Sequence, residues 1–284
     1  MRAASVALLV AAALLASPSA AHAEPPRDLH FTTAIDVPIT LATFGGYLVS
    51  ELAFKKKLAP EKPRLRERAP DDTSALSAFD RAGRALRFRD PREAGRISDF
   101  LLIMSSVSSS GFTTLASAVD RDSAAHTGEN VVMILEATAV AAATNQITKF
   151  LVGRQRPCAH FALAGAVSPC GGASTDENLS FFSGHATVTA ALAASSGAVA
   201  SLRGYSLAPL VWGSGALFAL GTGALRIAAD KHYLSDVLAG LVIGGTIGAL
   251  VPVLAHGRID AAKPSSMSAT PPLGGASFSY AGSF

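Results

Sequence analysis

The chain has 284 residues, of which 49% are hydrophobic and only 16% charged, and its mean hydropathy is +0.35. That composition is too apolar for an ordinary soluble domain and points to membrane spans. The formal net charge is only +3, and the basic residues lack the aromatic interleaving of nucleic-acid binders, so no nucleic-acid partner is expected.

The first 23 residues, "MRAASVALLVAAALLASPSAAHA", read as a signal peptide. Arg2 supplies the charge, Val6 to Ala16 the apolar stretch, and Ala21-His22-Ala23 the small-residue site before Glu24. Residues 24–96 then form an N-terminal helix and a basic connecting segment. Its apolar run spans 37–54, and Lys55 to Arg96 holds thirteen Lys+Arg against seven Asp+Glu. Such a stretch lies on anionic headgroups or faces the cytoplasm, or is a plain solvated linker.

From 97 to 256 come five more helix-length apolar runs, at 97–118, 131–150, 184–202, 208–229 and 234–255, with no strand-like alternation. The expected fold is all-α, a bundle of about five or six mostly transmembrane helices. The last two runs are the best spans, and their Gly, Ala and Ser residues allow close helix contact in lipid. Earlier runs carry Glu51, Asp99, Glu136, Asn145 and Gln146, which should face the bundle interior or a polar cavity. These weaker runs leave a soluble bundle open as the alternative. Residues 257–284, rich in Ser, Gly and Pro from Lys263 onward, read as a disordered tail.

Export would place part of the chain in an oxidising compartment, where Cys158 and Cys170 can pair across a short loop. Closing such a loop contributes roughly 3 kcal/mol in the chain-entropy model. A zinc site at these cysteines is not expected, because no second Cys or His pair stands at ligand spacing. His30, His126, His160 and His256 have no partner that spacing identifies.

Three clusters at helix boundaries carry chemistry. "KFLVGRQRP" (149–157) holds Lys149, Arg154 and Arg156, and Lys149 and Arg156 stand two helical turns apart. Arginine forks and a lysine charge suit phosphate oxygens. "SFFSGH" (180–185) offers Ser183 as an N-cap, Gly184 with its open backbone amide, and His185 in the first turn, an anion site with an acid beside it. "RIAADKHYLSD" (226–236) holds Arg226, then His232 and Asp236 four residues apart, so that a carboxylate can fix the imidazole. Asp230, Lys231 and Tyr233 read as solvated loop residues, with Lys231 a rim contact.

Read together as K-x6-R-P, S-G-H and R-x5-H-x3-D, the clusters resemble the type-2 phosphatidic acid phosphatase and vanadium haloperoxidase superfamily over about residues 97–256. Phe182 stands where that family usually has proline, and Leu225 where it usually has serine. The resemblance implies a phosphoric ester hydrolase without a metal or other cofactor. His232 would be the nucleophile, Asp236 its orienting carboxylate and His185 the general acid and base. Lys149, Arg156, Ser183, Gly184 and Arg226 would bind phosphate. A membrane lipid phosphate or pyrophosphate is the expected substrate. The alternatives are a soluble periplasmic acid phosphatase, a phosphotransferase using the same site, a haloperoxidase, and a non-catalytic binder of anionic lipid.

The resemblance also implies a multi-pass protein of the bacterial inner membrane with its site facing the periplasm. Alternating spans put all three clusters on one face. With a cleaved signal peptide and six later crossings that face would be cytoplasmic. A periplasmic site therefore expects either that 37–54 does not cross or that the bundle is wholly periplasmic. Nothing in the sequence gives the oligomeric state.

Overall fold

The structure, a computed structural model, describes residues 25–65, 77–162, 170–171 and 174–259. The expected signal segment, residues 66–76 of the basic segment and the tail from Lys263 lie outside the described residues. Eight helices account for most of what is described, with only two isolated bridge pairs and no strand among these residues. They are α1 (Thr33–Leu58, with a π-turn over Ser50–Phe54), α2 (Ala78–Arg84), α3 (Pro91–Val119), α4 (Ala124–Val152), α5 (Pro157–His160), α6 (Gly184–Arg203), α7 (Ala208–Ala228) and α8 (Leu234–Ala255).

Capping residues set the ends of these helices beyond what apolar runs reveal. Asp90 accepts hydrogen bonds from the Arg92 and Glu93 amides, and Pro91 occupies the first helical position, so α3 starts six residues before its apolar run. Ser123 caps α4 through the His126 amide. Gly153 ends α4 in the left-handed conformation at φ 57°, where a Cβ would also lie 2.9 Å from Pro60 Cγ. That stop places Lys149 in the last turn and turns Arg154 and Arg156 back over the bundle's end.

Six long helices run antiparallel. Five of them are long and apolar enough to cross a membrane. The sixth, α6, is rich in Ala and Ser and almost wholly buried among α3, α4, α7 and α8. A helix that meets no lipid needs no large apolar side chains, and its small ones let neighbours approach. Along α8, Gly240, Gly244 and Gly248 face α6 one turn apart. A Cβ on Gly244 would stand 2.3 Å from the Thr187 carbonyl oxygen, and one on Gly248 2.5 Å from that of Ala191. This near backbone contact holds the first turn of α8 against the first turn of α6. Large apolar side chains point outward instead, among them Leu52, Ile103, Leu217 and Leu254.

Helix α1 packs along α4 from one end of the bundle to the other and is long and apolar enough to cross a membrane. One expectation meets a correction here: the segment between α1 and α3 is not simply a linker. Its helix α2, capped by Ser77, seats Gly83 against Leu234 at the start of α8. It is too short and polar to register as an apolar run.

The close approach of α8 to α6 predicts that Gly244→Val destabilises the protein by about 1–3 kcal/mol through overpacking. The same change at Gly245, which has open space around its Cβ position, should be nearly neutral. Unfolding temperatures of the two variants in detergent check this.

Candidate active site

At the end of the bundle where α1, α4 and α7 finish and α3, α6 and α8 begin, a cavity of about 330 Å³ opens. Lys149, Arg156, Gly184, His185, Arg226 and His232 all line it. Three clusters separated by up to 83 residues therefore share one chamber, because each sits at a helix end on the same face. Ser183 and Asp236 lie buried just behind the wall.

The cations converge on the start of α6. Lys149 reaches so close that a Cβ on Gly184 would lie 3.0 Å from its Nζ. Arg156 and Arg226 are buried, and Arg226 is steadied by Ser98 and Asp99, each 3.1 Å from its Nη1. Ser183 occupies the N-cap position, yet its hydroxyl makes no capping bond, unlike an ordinary serine cap. Among the described residues, buried Ser183 Oγ, Arg156 Nε and Arg226 Nε have no hydrogen-bond partner. Buried donors without partners are costly unless something accepts from them. Together with the first amides of α6, which a helix start leaves free, they form a donor set suited to a tetrahedral oxyanion.

The nucleophile candidate is buried at the start of α8. His232 Nδ1 lies 2.8 Å from the Ser180 carbonyl, which can only accept, so Nδ1 carries the proton and Nε2 keeps its lone pair. Burial, and then the charges of Arg156 and Arg226, hold this imidazole well below its ordinary pKa of 6.5. It is neutral at physiological pH. Asp236 is 3.8 Å from Nδ1 and is not the ring's direct hydrogen-bond partner. It accepts from Ser180 Oγ at 2.5 Å, from the Tyr233 amide at 3.0 Å and from Arg154 Nη1 at 2.6 Å. The expected direct contact between Asp236 and the ring is replaced by one through Ser180, whose hydroxyl meets Asp236 and whose carbonyl meets His232.

Arg154 is the hinge of a second layer. It bridges Asp236 and Asp80 of α2, stacks over the Tyr233 ring at 4.0 Å and binds Ser235 Oγ. Asp80 in turn caps α8 through the Ser235 amide at 2.9 Å. His185 Nε2 pairs with Asp99 Oδ1 at 2.8 Å. Asp99, Asp80 and Ser180 were not among the sequence-derived site residues. Asp99 alone carried a signal, as a charge inside an apolar run.

The loop residues 230, 231 and 233 are not solvated. Asp230 is buried and ion-paired with Arg84 and Arg87, and Tyr233 is buried beneath Arg154. Lys231 lines the cavity and donates to the Cys170 carbonyl; burial, then the charges of Arg156 and Arg226, bring its pKa down to about 8. Cys158 and Cys170 are joined in a disulfide that anchors this wall, with the Cys158 amide bound to the Asp230 carbonyl. The two departures from the family pattern are accommodated. The Phe182 carbonyl is held by Asn145 Nδ2 at 2.7 Å, and Leu225 packs into an apolar cluster with Ala94 while Ser98 supplies the hydroxyl beside Arg226.

Residues 130–260 match the family described as the PAP2 superfamily. Its members act as phosphatases or phosphoesterases, which agrees with a donor set built for a phosphoryl group. Neither the curated proteins nor the solved structures provide a match. The PAP2 segment covers α4 through α8 and all the residues of the three clusters, whereas Asp80, Asp99 and α1 lie before it.

The unpartnered Ser183 hydroxyl gives a direct expectation. Ser183→Ala should weaken binding of orthophosphate by about ten- to a hundredfold, the value of roughly 1.5–3 kcal/mol for a hydrogen bond to a charged group. Calorimetric titration of both proteins measures it.

Proposed function

We propose that the protein hydrolyses a membrane lipid phosphate or pyrophosphate through a phosphohistidine on His232. The observation that carries this reading is the fixed tautomer of His232, whose unprotonated Nε2 belongs to a cavity walled by Lys149, Arg156 and Arg226 among other cations. The Nε2 lone pair attacks phosphorus as the bond to the lipid oxygen breaks. His185, protonated, gives its proton to that departing oxygen. Asp99, 2.8 Å from its Nε2, orients the ring for this step. His185 then takes a proton from water, the resulting hydroxide attacks phosphorus, the N–P bond breaks and orthophosphate leaves. Lys149, Arg156, Arg226, Ser183 and the Gly184 amide hold the equatorial oxygens throughout, so charge is stabilised where it redistributes.

The lipid follows from how the cavity is walled. Tyr47, Glu51 and Lys55 of α1 form one side, and Gly95, Asp99 and Leu102 of α3 another. These two helices do not pack closely on each other, since α1 rests on α4 while α3 rests on α6 and α7. A phosphorylated headgroup fits the polar chamber, and its acyl or isoprenyl chain can leave between α1 and α3, flanked by exposed Leu48, Phe100 and Ile103.

The disulfide stands on the site's own face and supports an oxidising, periplasmic side for it. Six antiparallel helices then put residues 25–32 and 256–259 on the cytoplasmic face. A segment that crosses before Glu24, cut or retained with Arg2 inside, would start the described chain on the other side, so this orientation requires that the segment does not cross. The basic surplus of 55–96 pulls toward the opposite orientation. Several of its cations are neutralised locally, as Lys55 is by Glu51 and Asp176, and Arg84 and Arg87 are by Asp230.

In EDTA, detergent-purified protein should release phosphate from at least one member of a panel of lipid phosphates. His232→Ala should lower that rate by about 10³-fold or more. Retained activity in the variant would sink the mechanism. For orientation, a cysteine placed at Arg258 in intact cells should resist an impermeant maleimide and label only after lysis. Labelling before lysis would reverse the assignment.

A further inference from the structure

The face opposite the active site holds a second cluster that the phosphatase reading does not use. There the extended residues 25–32 cross the far ends of α6 and α8, with the Arg27 amide on the Arg203 carbonyl and the His30 amide on the Gly257 carbonyl. Beneath this strap, Asp36 in the first turn of α1, Glu136 in the middle of α4 and His256 at the C-cap of α8 bring one ligand atom each within 4.8 Å of one another. Glu136 and His256 are buried, and Asp36 is half-buried.

The orientation of His256 is what distinguishes the cluster from a chance meeting of polar groups. Its Nδ1 lies 2.8 Å from the His30 carbonyl, an obligate acceptor, so Nδ1 carries a proton. Its Nε2 is 3.0 Å from Glu136 Oε2 and turned into the cluster. A ring nitrogen bound to a backbone carbonyl, with the other directed at carboxylates, is the arrangement that orients histidine ligands on metals. Asp36 is pre-set as well, since its Oδ2 accepts from the Thr32 amide at 2.6 Å and leaves Oδ1 free.

Charge gives the second reason. Among the described residues no lysine or arginine pairs with Asp36 or Glu136. Two carboxylates with no cationic side chain beside them sit in a largely buried place, which is costly. A divalent cation would balance both. One imidazole and two carboxylates suit zinc or a similar first-row divalent ion, with water completing the shell.

We propose that Asp36, Glu136 and His256 form a divalent transition-metal site that pins the start of α1, the middle of α4 and the end of α8 together under the N-terminal strap. It is a structural site at the end of the bundle away from His232, so it takes no part in phosphate release. Its ligands are separated by 100 and 120 residues, which is why sequence spacing gave no sign of it.

The test uses the full-length protein in detergent, stripped with EDTA and titrated with Zn²⁺, and separately with Co²⁺ to read the visible d–d bands of bound cobalt. One ion should bind per chain, and zinc should raise the unfolding temperature. Asp36→Asn, a half-buried change that the fold should tolerate, should weaken zinc binding at least about tenfold and remove the thermal shift. His256→Ala should abolish the cobalt spectrum. No binding, or binding equal in wild type and Asp36→Asn, overturns the proposal and leaves His256 and Glu136 as an ion pair. Phosphate release in EDTA is read on the same samples, so loss of the metal site and loss of the phosphatase reading are separately visible.

Discussion

Three buried or half-buried cations meeting at one helix start is the constraint around which this bundle is arranged. Lys149, Arg156 and Arg226 repel one another, and each is desolvated. Burial of the His232 imidazole, and then the charges of Arg156, Arg226 and Lys149 around it, depress its basicity. A protein keeps such a cluster only where an anion completes it, or where the surrounding scaffold is rigid enough to hold it. Here the rigidity comes from small residues: the glycine stripe of α8 against α6 brings the backbone carrying Ser183 and Gly184 next to the one carrying His232 and Asp236. A repulsive site and a close-packed helix pair are two sides of the same design.

The second layer explains how the reacting atoms are aimed. His232 is fixed by a backbone carbonyl, Ser180 is fixed by Asp236, and Asp236 is fixed by Arg154, which is shared with Asp80. The last link lies on α2, within a segment whose composition suggests only a charged connector. That segment thereby becomes part of the catalytic support. On the opposite wall, Asp99 connects His185 to Arg226, so the two side chains share one carboxylate.

How much of this could be read from the sequence depends on the range of the interaction. The long helices were legible because burial and lipid exposure leave continuous apolar runs, and α6 was legible by its length even though its Ala and Ser residues make it a poor span. His232 with Asp236, and Ser183 with Gly184 and His185, were legible because each group lies within one helical turn. Asp80, Asp99 and the Ser180 carbonyl were not, because their partners are 52 to 155 residues away. Asp230 and Tyr233 are not solvated for the same reason: what covers them, Arg84 and Arg87 at the end of α2 and Arg154 after α4, comes from elsewhere in the chain. The topology conflict was legible in advance, because it follows from counting crossings.

The most direct measurement of the central claim is to trap the covalent intermediate. Protein mixed with a lipid phosphate carrying ³²P and quenched in alkali, where phosphohistidine survives, should retain label on the chain, and peptide mapping should place it on His232. His185→Ala, slowed in the water step, should retain label longer than wild type, and His232→Ala should carry none. Turnover of the lipid with no labelled chain in any of the three, or label mapped to another residue, would contradict the phosphohistidine account.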